Sequence, residues 1–206
     1  MEDFNRDGFI TVPNFLDSAL CGTLYQYSQI QAQRTRIKQQ VDSAHYHKAW
    51  DGTFEDSQAP GNYALYGDPI MDVVMYQHMD QIRNCVDLDL QPAYTYWRLY
   101  VEGSELKNHV DREACEISAT ICLGQSDVNT WPIHLDLGQK GVHSVGLQPG
   151  DCLIYRGCDI PHWRDPLRRG DCAQVFWHFT DMQGDRKQVW DGRPQAGVPR
   201  NVQVKR

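Results

Sequence analysis

The sequence predicts a mainly β fold with flanking helices, and three observations carry that reading. After Pro92 the chain breaks into short alternating or aromatic runs, punctuated by glycines and Asp/Asn-rich segments. Before Pro92 the apolar residues recur instead at helical spacing. Two halves of one candidate metal site stand 51 residues apart across the β region, and at about 8–12 residues per strand roughly four to six strands separate them. A jelly roll or similar double-sheet barrel brings such halves together, because its opposite walls meet across the mouth.

At 206 residues, 41% hydrophobic and 11% aromatic, the chain is long enough to bury a real core. One domain is expected over 1–206, with an N-terminal strand and supporting helices (1–91), a jelly-roll core (92–183) and a C-terminal arm (184–206). The opening MEDFNRDGFI lacks a basic start and an apolar run, and no stretch approaches membrane-spanning length. A cytoplasmic protein without membrane contact is expected. The cysteines number seven, are dispersed and include no Cys-x-x-Cys, which fits reduced, mostly buried thiols. A net charge of −7 disfavours a nucleic-acid partner, since phosphate binding requires a basic surface. An anionic small molecule needs only a local basic pocket, and Arg156, Arg164, Arg168 and Arg169 cluster in sequence around His162.

Taken in order, DGFITVPNFL (7–16) reads as a strand running into a turn. Asp17 or Ser18 then caps a helix towards Gln40, with Leu20, Leu24, Tyr27 and Ile30 as its apolar stripe. Residues 42–63 are polar and rich in turn formers, yet carry Tyr46, Trp50 and Phe54, so this long loop is a candidate lid or binding segment. A second helix is predicted from Asp68 to Val86, its stripe Met71, Val74, Met75, His78, Ile82 and Cys85 serving core packing. Strands are predicted at Tyr94–Val101, Glu116–Leu123, Trp131–Leu137, His143–Leu147, Cys152–Arg156 and Ala173–Phe179. The segment from Gly184 has little apolar content and reads as an extended arm or a partly disordered one.

His109-Val110-Asp111, with His162 in IPHWR (160–164), supplies two imidazoles and a carboxylate, the three-ligand face of a non-haem Fe(II) site. The tripeptide alone is weak evidence, because with 8 His and 21 Asp chance places about one His-x-Asp pair in this chain. A second pair, His134 and Asp136, lies in WPIHLDLG (131–138), where the apolar alternation is that of a strand. His45 and His47 are further metal candidates, against a solvent-exposed or substrate-facing role.

In context the chain resembles the 2-oxoglutarate and Fe(II)-dependent oxygenases, in particular their prolyl-hydroxylase-like and phytanoyl-hydroxylase-like branches. DGFITVPNFL is similar to the usual opening of those enzymes. RLYVEGSELKNHVD (98–111) resembles their tyrosine, glycine and His-x-Asp run, LQPGDCLIYRG (147–157) the strand-turn-strand before the distal histidine, and QVFWHF (174–179) the final core strand. These elements occur in the family's order over most of the chain. The resemblance implies a double-stranded β-helix core in which His109, Asp111 and His162 hold Fe(II) and 2-oxoglutarate chelates the metal beside O2. Two neutral imidazoles and one carboxylate leave the site with net positive charge, which favours an anionic co-substrate. The implied reaction is hydroxylation of a C–H bond with release of succinate and CO2. Related halogenases carry a small residue at the position of Asp111, so this carboxylate favours hydroxylation or another oxidation over halogenation.

One departure concerns the co-substrate anchor. Prolyl-hydroxylase-like members place Arg or Lys about nine or ten residues after the distal histidine, where this chain has Asp171 and Cys172. Arg164 is the leading replacement, since residues two apart on a strand share a face and His162 would point the same way. Arg98, on the strand before the first ligand pair, is next. Tyr100 matches a family tyrosine that hydrogen-bonds the co-substrate, with a plain core role as the alternative, and Arg112 is placed to meet substrate. Trp131, Trp163 and Tyr96 are candidates for the pocket wall or the core.

The expected substrate is a small polar molecule, such as a free amino acid or a derivative, because the chain is compact and carries no obvious docking domain. A peptide or protein side-chain hydroxylase, gripping its target with residues 42–63 or the arm, is the nearest alternative. A cupin-like metalloenzyme that does not use 2-oxoglutarate is another, because Pro149 to His162 also suits half of a cupin motif. A non-catalytic binding module on this scaffold is the third, and the intact ligand set argues against it.

Overall fold

The computed structural model describes residues 3–200. Asp3 caps a single helical turn, α1 (Phe4–Asp7), which ends at Gly8 and leads into strand β1 (Phe9–Val12). Asp17 accepts a hydrogen bond from the Leu20 N–H at 2.9 Å and starts α2 (Ser18–Val41). That carboxylate satisfies a donor the helix cannot pair internally and lies at the positive end of its dipole. The expected stripe needs correction, because α2 buries Cys21, Leu24, Ser28, Ala32 and Thr35 while Ile30 is exposed. Close approach explains the choice of small residues. A Cβ on Gly124 would lie 2.3 Å from the Tyr25 ring, so helix and sheet fit together only with glycine there.

After the short helix α3 (Lys48–Asp51) and strand β2 (Tyr63–Tyr66), the single helix expected over 68–86 proves to be two, α4 (Pro69–Gln77) and α5 (Met79–Val86). Asp68 caps the first and Pro69 occupies its first turn, where a missing N–H costs nothing. The break falls at His78, whose ring Nδ1–H donates to the Val74 carbonyl at 2.7 Å. That carbonyl is the acceptor a continuous helix would give to the His78 N–H, which bonds instead to Met75.

Eight further strands complete the chain: β3 (Leu90–Val101), β4 (Leu106–His109), β5 (Ile117–Gln125), β6 (Ile133–Asp136), β7 (Val142–Val145), β8 (Cys152–Arg156), β9 (His162–Arg164) and β10 (Asp171–Asp181). They form two antiparallel sheets, β1-β8-β5-β10-β3-β2 and β4-β9-β6-β7. From β3 onward the chain crosses between the sheets, which is the connectivity of a jelly roll. The fold is therefore mainly β with flanking helices, as the sequence predicts, and each predicted run overlaps a strand.

The long strands are buried on both faces. On β10, Ala173, Val175, Trp177 and Phe179 pack towards the helices, in one cluster with Leu24 of α2, Met75 of α4 and Ile82 of α5. The alternate residues Cys172 and Phe176 face the space between the sheets, with Ile133, Leu135 and Tyr155. Each fully buried large apolar side chain contributes about 1.5–3 kcal/mol, so the two layers together fix the register. This double burial explains why β5 and β10 read as continuous apolar runs rather than strict alternations. Among the buried polar residues of β10, Gln174 and His178 belong to the site described next.

Residues 184–200 are tied to the core at Arg193, whose guanidinium lies 2.9 Å from Asp72 of α4 with both side chains buried. Asp72 also accepts from Thr95 of β3 at 2.6 Å and from the Gly197 N–H at 2.7 Å. Among the described residues no helix is long and apolar enough to cross a membrane.

Candidate active site

The smaller sheet delivers both histidines to one point. β4 ends in His109 and β9 begins with His162, and the two are register partners with ring centroids 4.3 Å apart. Each ring is fixed by its own backbone: Nδ1 of His109 lies 2.8 Å from the Lys107 carbonyl and Nδ1 of His162 lies 2.9 Å from the Ile160 carbonyl. A carbonyl only accepts, so both Nδ1 atoms carry the proton and both Nε2 atoms present lone pairs. Asp111 follows β4 on a turn held by its N–H to the Gly157 carbonyl at 2.9 Å. Its Oδ1 lies 3.7 Å from Nε2 of His109 and 3.7 Å from Nε2 of His162. With metal bonds of about 2.1 Å, one cation can reach all three atoms. Burial lowers the pKa of His162, which keeps that imidazole in the neutral, metal-binding form.

A second group, Asp111, Cys115 and His178, also brings its ligand atoms within 4.8 Å of one another. It is the poorer fit to iron. Burial raises the Cys115 thiol far above its usual range, Tyr94 Oη lies 3.1 Å from its sulfur, and Ser118 already occupies Oδ2 of Asp111 at 2.7 Å. The two-histidine, one-carboxylate set needs no such deprotonation and matches the donors Fe(II) prefers.

These groups open onto a cavity of about 400 Å³, walled by Tyr66, Tyr94, Tyr96 and Phe176 and by the guanidinium groups of Arg98 and Arg112. Arg98 is the buried neighbour of Asp56 and Gln58, at 2.6 and 2.7 Å, so the loop expected as a lid is pinned to β3 across the cavity. Arg112 lies over the Tyr94 ring and makes a bidentate pair with Asp191 at 2.8 and 2.5 Å. Tyr66 Oη donates to that same carboxylate at 2.7 Å. Segments from both ends of the chain thus reach the cavity.

Arg164 sits deeper, on the same face of β9 as His162 and fully buried. Its guanidinium donates to the Trp131 carbonyl and, at 3.3 Å, to Gln174 Oε1 of β10, while its Nε has no partner. Among the described residues no carboxylate lies within ion-pair distance of it. The thiol of Cys172 is lowered mainly by a hydrogen bond from Cys122, against burial, with Arg164 adding to the effect. A buried cation left this way is costly, and its charge is felt at Cys172, one of the two positions, with Asp171, at which the resemblance places a cation.

Tyr100 stands behind Arg98, its Oη accepting from the guanidinium at 3.1 Å and its ring edge-on to Trp131. Trp131 packs under Arg164, Trp163 stacks on His134 away from the cavity, and Tyr96 lines it. The second His-x-Asp is separate from the site: His134 lies 3.4 Å from Asp165 and 2.8 Å from Ser144. His45 pairs with Asp42 at 2.6 Å and His47 caps α3, and neither belongs to a metal-binding cluster among the described residues. Sequence reasoning missed Asp56, Asp191, Ser118, His178 and Tyr155, whose Oη lies 3.3 Å from His162 Nε2. Strand parity carried a signal for two of them, since residues 172, 174, 176 and 178 share one face of β10 and Ser118 pairs with His178.

No protein-family model matches the sequence, and no curated protein matches it significantly. Solved structures do. A prolyl-4-hydroxylase from Pseudomonas putida superposes with a TM-score of 0.61 at 18% identity, over 85% of this chain and 94% of that one. The fold is that of the 2-oxoglutarate and Fe(II) oxygenases. EctD from S. alaskensis, solved with 2-oxoglutarate and 5-hydroxyectoine, matches 98% of this chain and 83% of its own with a TM-score of 0.62 at 14% identity. HygX from Streptomyces hygroscopicus, solved with nickel, 2-oxoglutarate and hygromycin B, matches 95% and 93% with a TM-score of 0.60 at 13% identity. At these identities the likeness concerns the fold, and the chemistry must be argued from the site.

Proposed function

We propose that the chain is a 2-oxoglutarate- and Fe(II)-dependent oxygenase that hydroxylates an unactivated C–H bond of a small polar molecule, such as a free amino acid or a derivative. The observation that carries the reading is the pair of locked imidazoles, each presenting Nε2 at 3.7 Å from Asp111 Oδ1. The likeness to enzymes solved with 2-oxoglutarate supports it. His109, Asp111 and His162 hold the metal. Bound Fe(II) supplies the oxidising chemistry by which R–H, O2 and 2-oxoglutarate become R–OH, succinate and CO2.

The remaining residues bind, orient and exclude. Arg164 anchors the distal carboxylate of 2-oxoglutarate, which supplies the negative charge its buried guanidinium lacks. Tyr155 Oη, 3.3 Å from His162 Nε2, lines the cavity and hydrogen-bonds the co-substrate. Arg98 is committed to Asp56, so it shapes the wall, with Tyr100 behind it. Residues 42–63 and the arm at Asp191 close over the cavity and limit water entry, which protects a reactive site from wasteful turnover.

The size of the cavity, about 400 Å³, favours a small molecule over a polypeptide. Seven free cysteines support a reducing compartment, the cytoplasm. The experiment is a screen for succinate release with Fe(II), 2-oxoglutarate and O2, against free amino acids and their derivatives and, in parallel, peptides. Turnover on free amino acids or derivatives is expected. Turnover on peptides alone would overturn the small-molecule reading.

A further inference from the structure

Asp111 is held from the side away from the two imidazoles. Its Oδ2 accepts from Ser118 Oγ at 2.7 Å, and the same Oγ lies 2.9 Å from His178 Nδ1. A serine hydroxyl has one proton to give. The carboxylate, and the Cys115 carbonyl 3.3 Å away, only accept. The serine proton therefore faces Asp111, and His178 must supply the second bond as donor from Nδ1–H. The chain of donors runs in one direction, from His178 through Ser118 to Asp111.

Three further observations fit that direction. Ser118 of β5 and His178 of β10 are register partners, so the two strands themselves set the spacing. The His178 ring is buried against Tyr94, ring centroids 4.5 Å apart, which fixes the ring with its Nδ1 edge at Ser118. Gly157 lies directly against the assembly, since a Cβ there would fall 2.4 Å from Asp111 Oδ2 and 2.6 Å from Ser118 Oγ. His178 also lines the cavity, and its Nε2 makes no hydrogen bond to a described residue.

We propose that Ser118 and His178 are positioning residues for the metal carboxylate: their relay fixes the Asp111 side chain so that Oδ1 stays on the face shared with His109 and His162. The proposal rests on the reading of that triad as a divalent-metal site. Without the relay Oδ2 loses its partner, the carboxylate gains a second orientation, and metal affinity falls. Partners of this kind typically contribute 10–100-fold in metal affinity.

The test combines two measurements on the full chain. Histidine ¹⁵N NMR of the metal-free protein at neutral pH reads the tautomer, and His178 is expected with Nδ1 protonated and Nε2 bare. Titration with Co(II) then reads affinity spectroscopically. Ser118→Ala and His178→Phe are expected to weaken Co(II) binding by about 10–100-fold. His178→Asn, whose amide N–H can still donate to Ser118, is expected to stay within a few-fold of wild type. Thermal unfolding of the metal-free variants identifies those that fold. A wild-type ring protonated on Nε2, or unchanged affinity in folded Ser118→Ala and His178→Phe, would overturn the relay. Failure of the wild type to bind Co(II) at all would overturn the metal-site reading beneath it.

Discussion

Arg98 and Asp56 form a buried ion pair, 2.6 Å between Nη2 and Oδ2, that fastens the 42–63 segment to the cavity wall on β3. Arg112 with Asp191, and Arg193 with Asp72, do the same for the C-terminal segment. Each pair joins a peripheral segment to the core, so the enclosure of the cavity depends on charges that are distant in sequence.

Asp56→Ala leaves Arg98 buried without its counter-charge. Removing one member of a buried pair typically costs about 3–5 kcal/mol, because the survivor stays desolvated. A clear drop in the urea midpoint is expected, together with faster proteolysis within residues 42–63. An unchanged midpoint and unchanged cleavage would mean that the segment is held by other contacts.

Acid should loosen the same segments. Burial raises the pKa of Asp56, but the Arg98 charge and hydrogen bonds from Tyr96 and Arg98 outweigh it, and the net shift is downward. For Asp191 burial is likewise outweighed, by the Arg112 hydrogen bonds first, and for Asp51 by the Lys38 hydrogen bond. A carboxylate whose pKa is lower folded than unfolded contributes stability above its unfolded value of about 4, and loses it as pH falls through the folded value. Unfolding free energy should therefore be flat with respect to these groups near neutrality and fall below about pH 4. Urea titrations at pH 7, 4 and 3 measure this, and stability rising towards pH 3 would contradict it.

Arg164→Met separates binding from folding. The substitution keeps a long side chain while removing a buried cation that has no carboxylate partner among the described residues. Removing an uncompensated buried charge relieves its desolvation cost, which offsets the hydrogen bonds lost at Trp131 and Gln174, so the melting temperature should hold. Affinity for 2-oxoglutarate should fall by about 10–100-fold, the equivalent of roughly 1.5–3 kcal/mol for hydrogen bonds to a charged group. Unchanged 2-oxoglutarate affinity in calorimetry would move the anchor elsewhere.

His162→Ala should abolish Fe(II) binding, whereas His134→Ala should leave it intact. His134 lies on β6 among Ser144, Asp165 and Trp163, outside the triad. Equal loss of metal in both variants would contradict a metal site confined to His109, Asp111 and His162.

Much of the fold was legible because β3, β5 and β10 are long and apolar, and β8, though short, is apolar and bounded by turn residues. The strands that were missed, β2 (YALY) and β4 (LKNH), lack the apolar alternation that made β6, of the same 4 residues, visible. The break at His78 was hidden for a different reason, since the apolar spacing continues through it and only a ring-to-carbonyl bond interrupts the helix. At the site, His109, Asp111, His162 and Arg164 could be read from motif and strand parity. Asp56 and Asp191 could not, because each meets its arginine 42 and 79 residues away through tertiary packing alone. Ser118 and His178 stood within runs that read as core, where the polar member of an alternation is easily taken for a solvent-facing residue.

The most direct test of the central claim is an anaerobic titration of the metal-free protein with Fe(II), followed by 2-oxoglutarate, observed by visible absorption. A saturable charge-transfer band appearing only when both are present is expected, and it should be lost in His162→Ala. Iron binding with no band on adding 2-oxoglutarate would contradict the oxygenase reading and favour a cupin-like metalloenzyme.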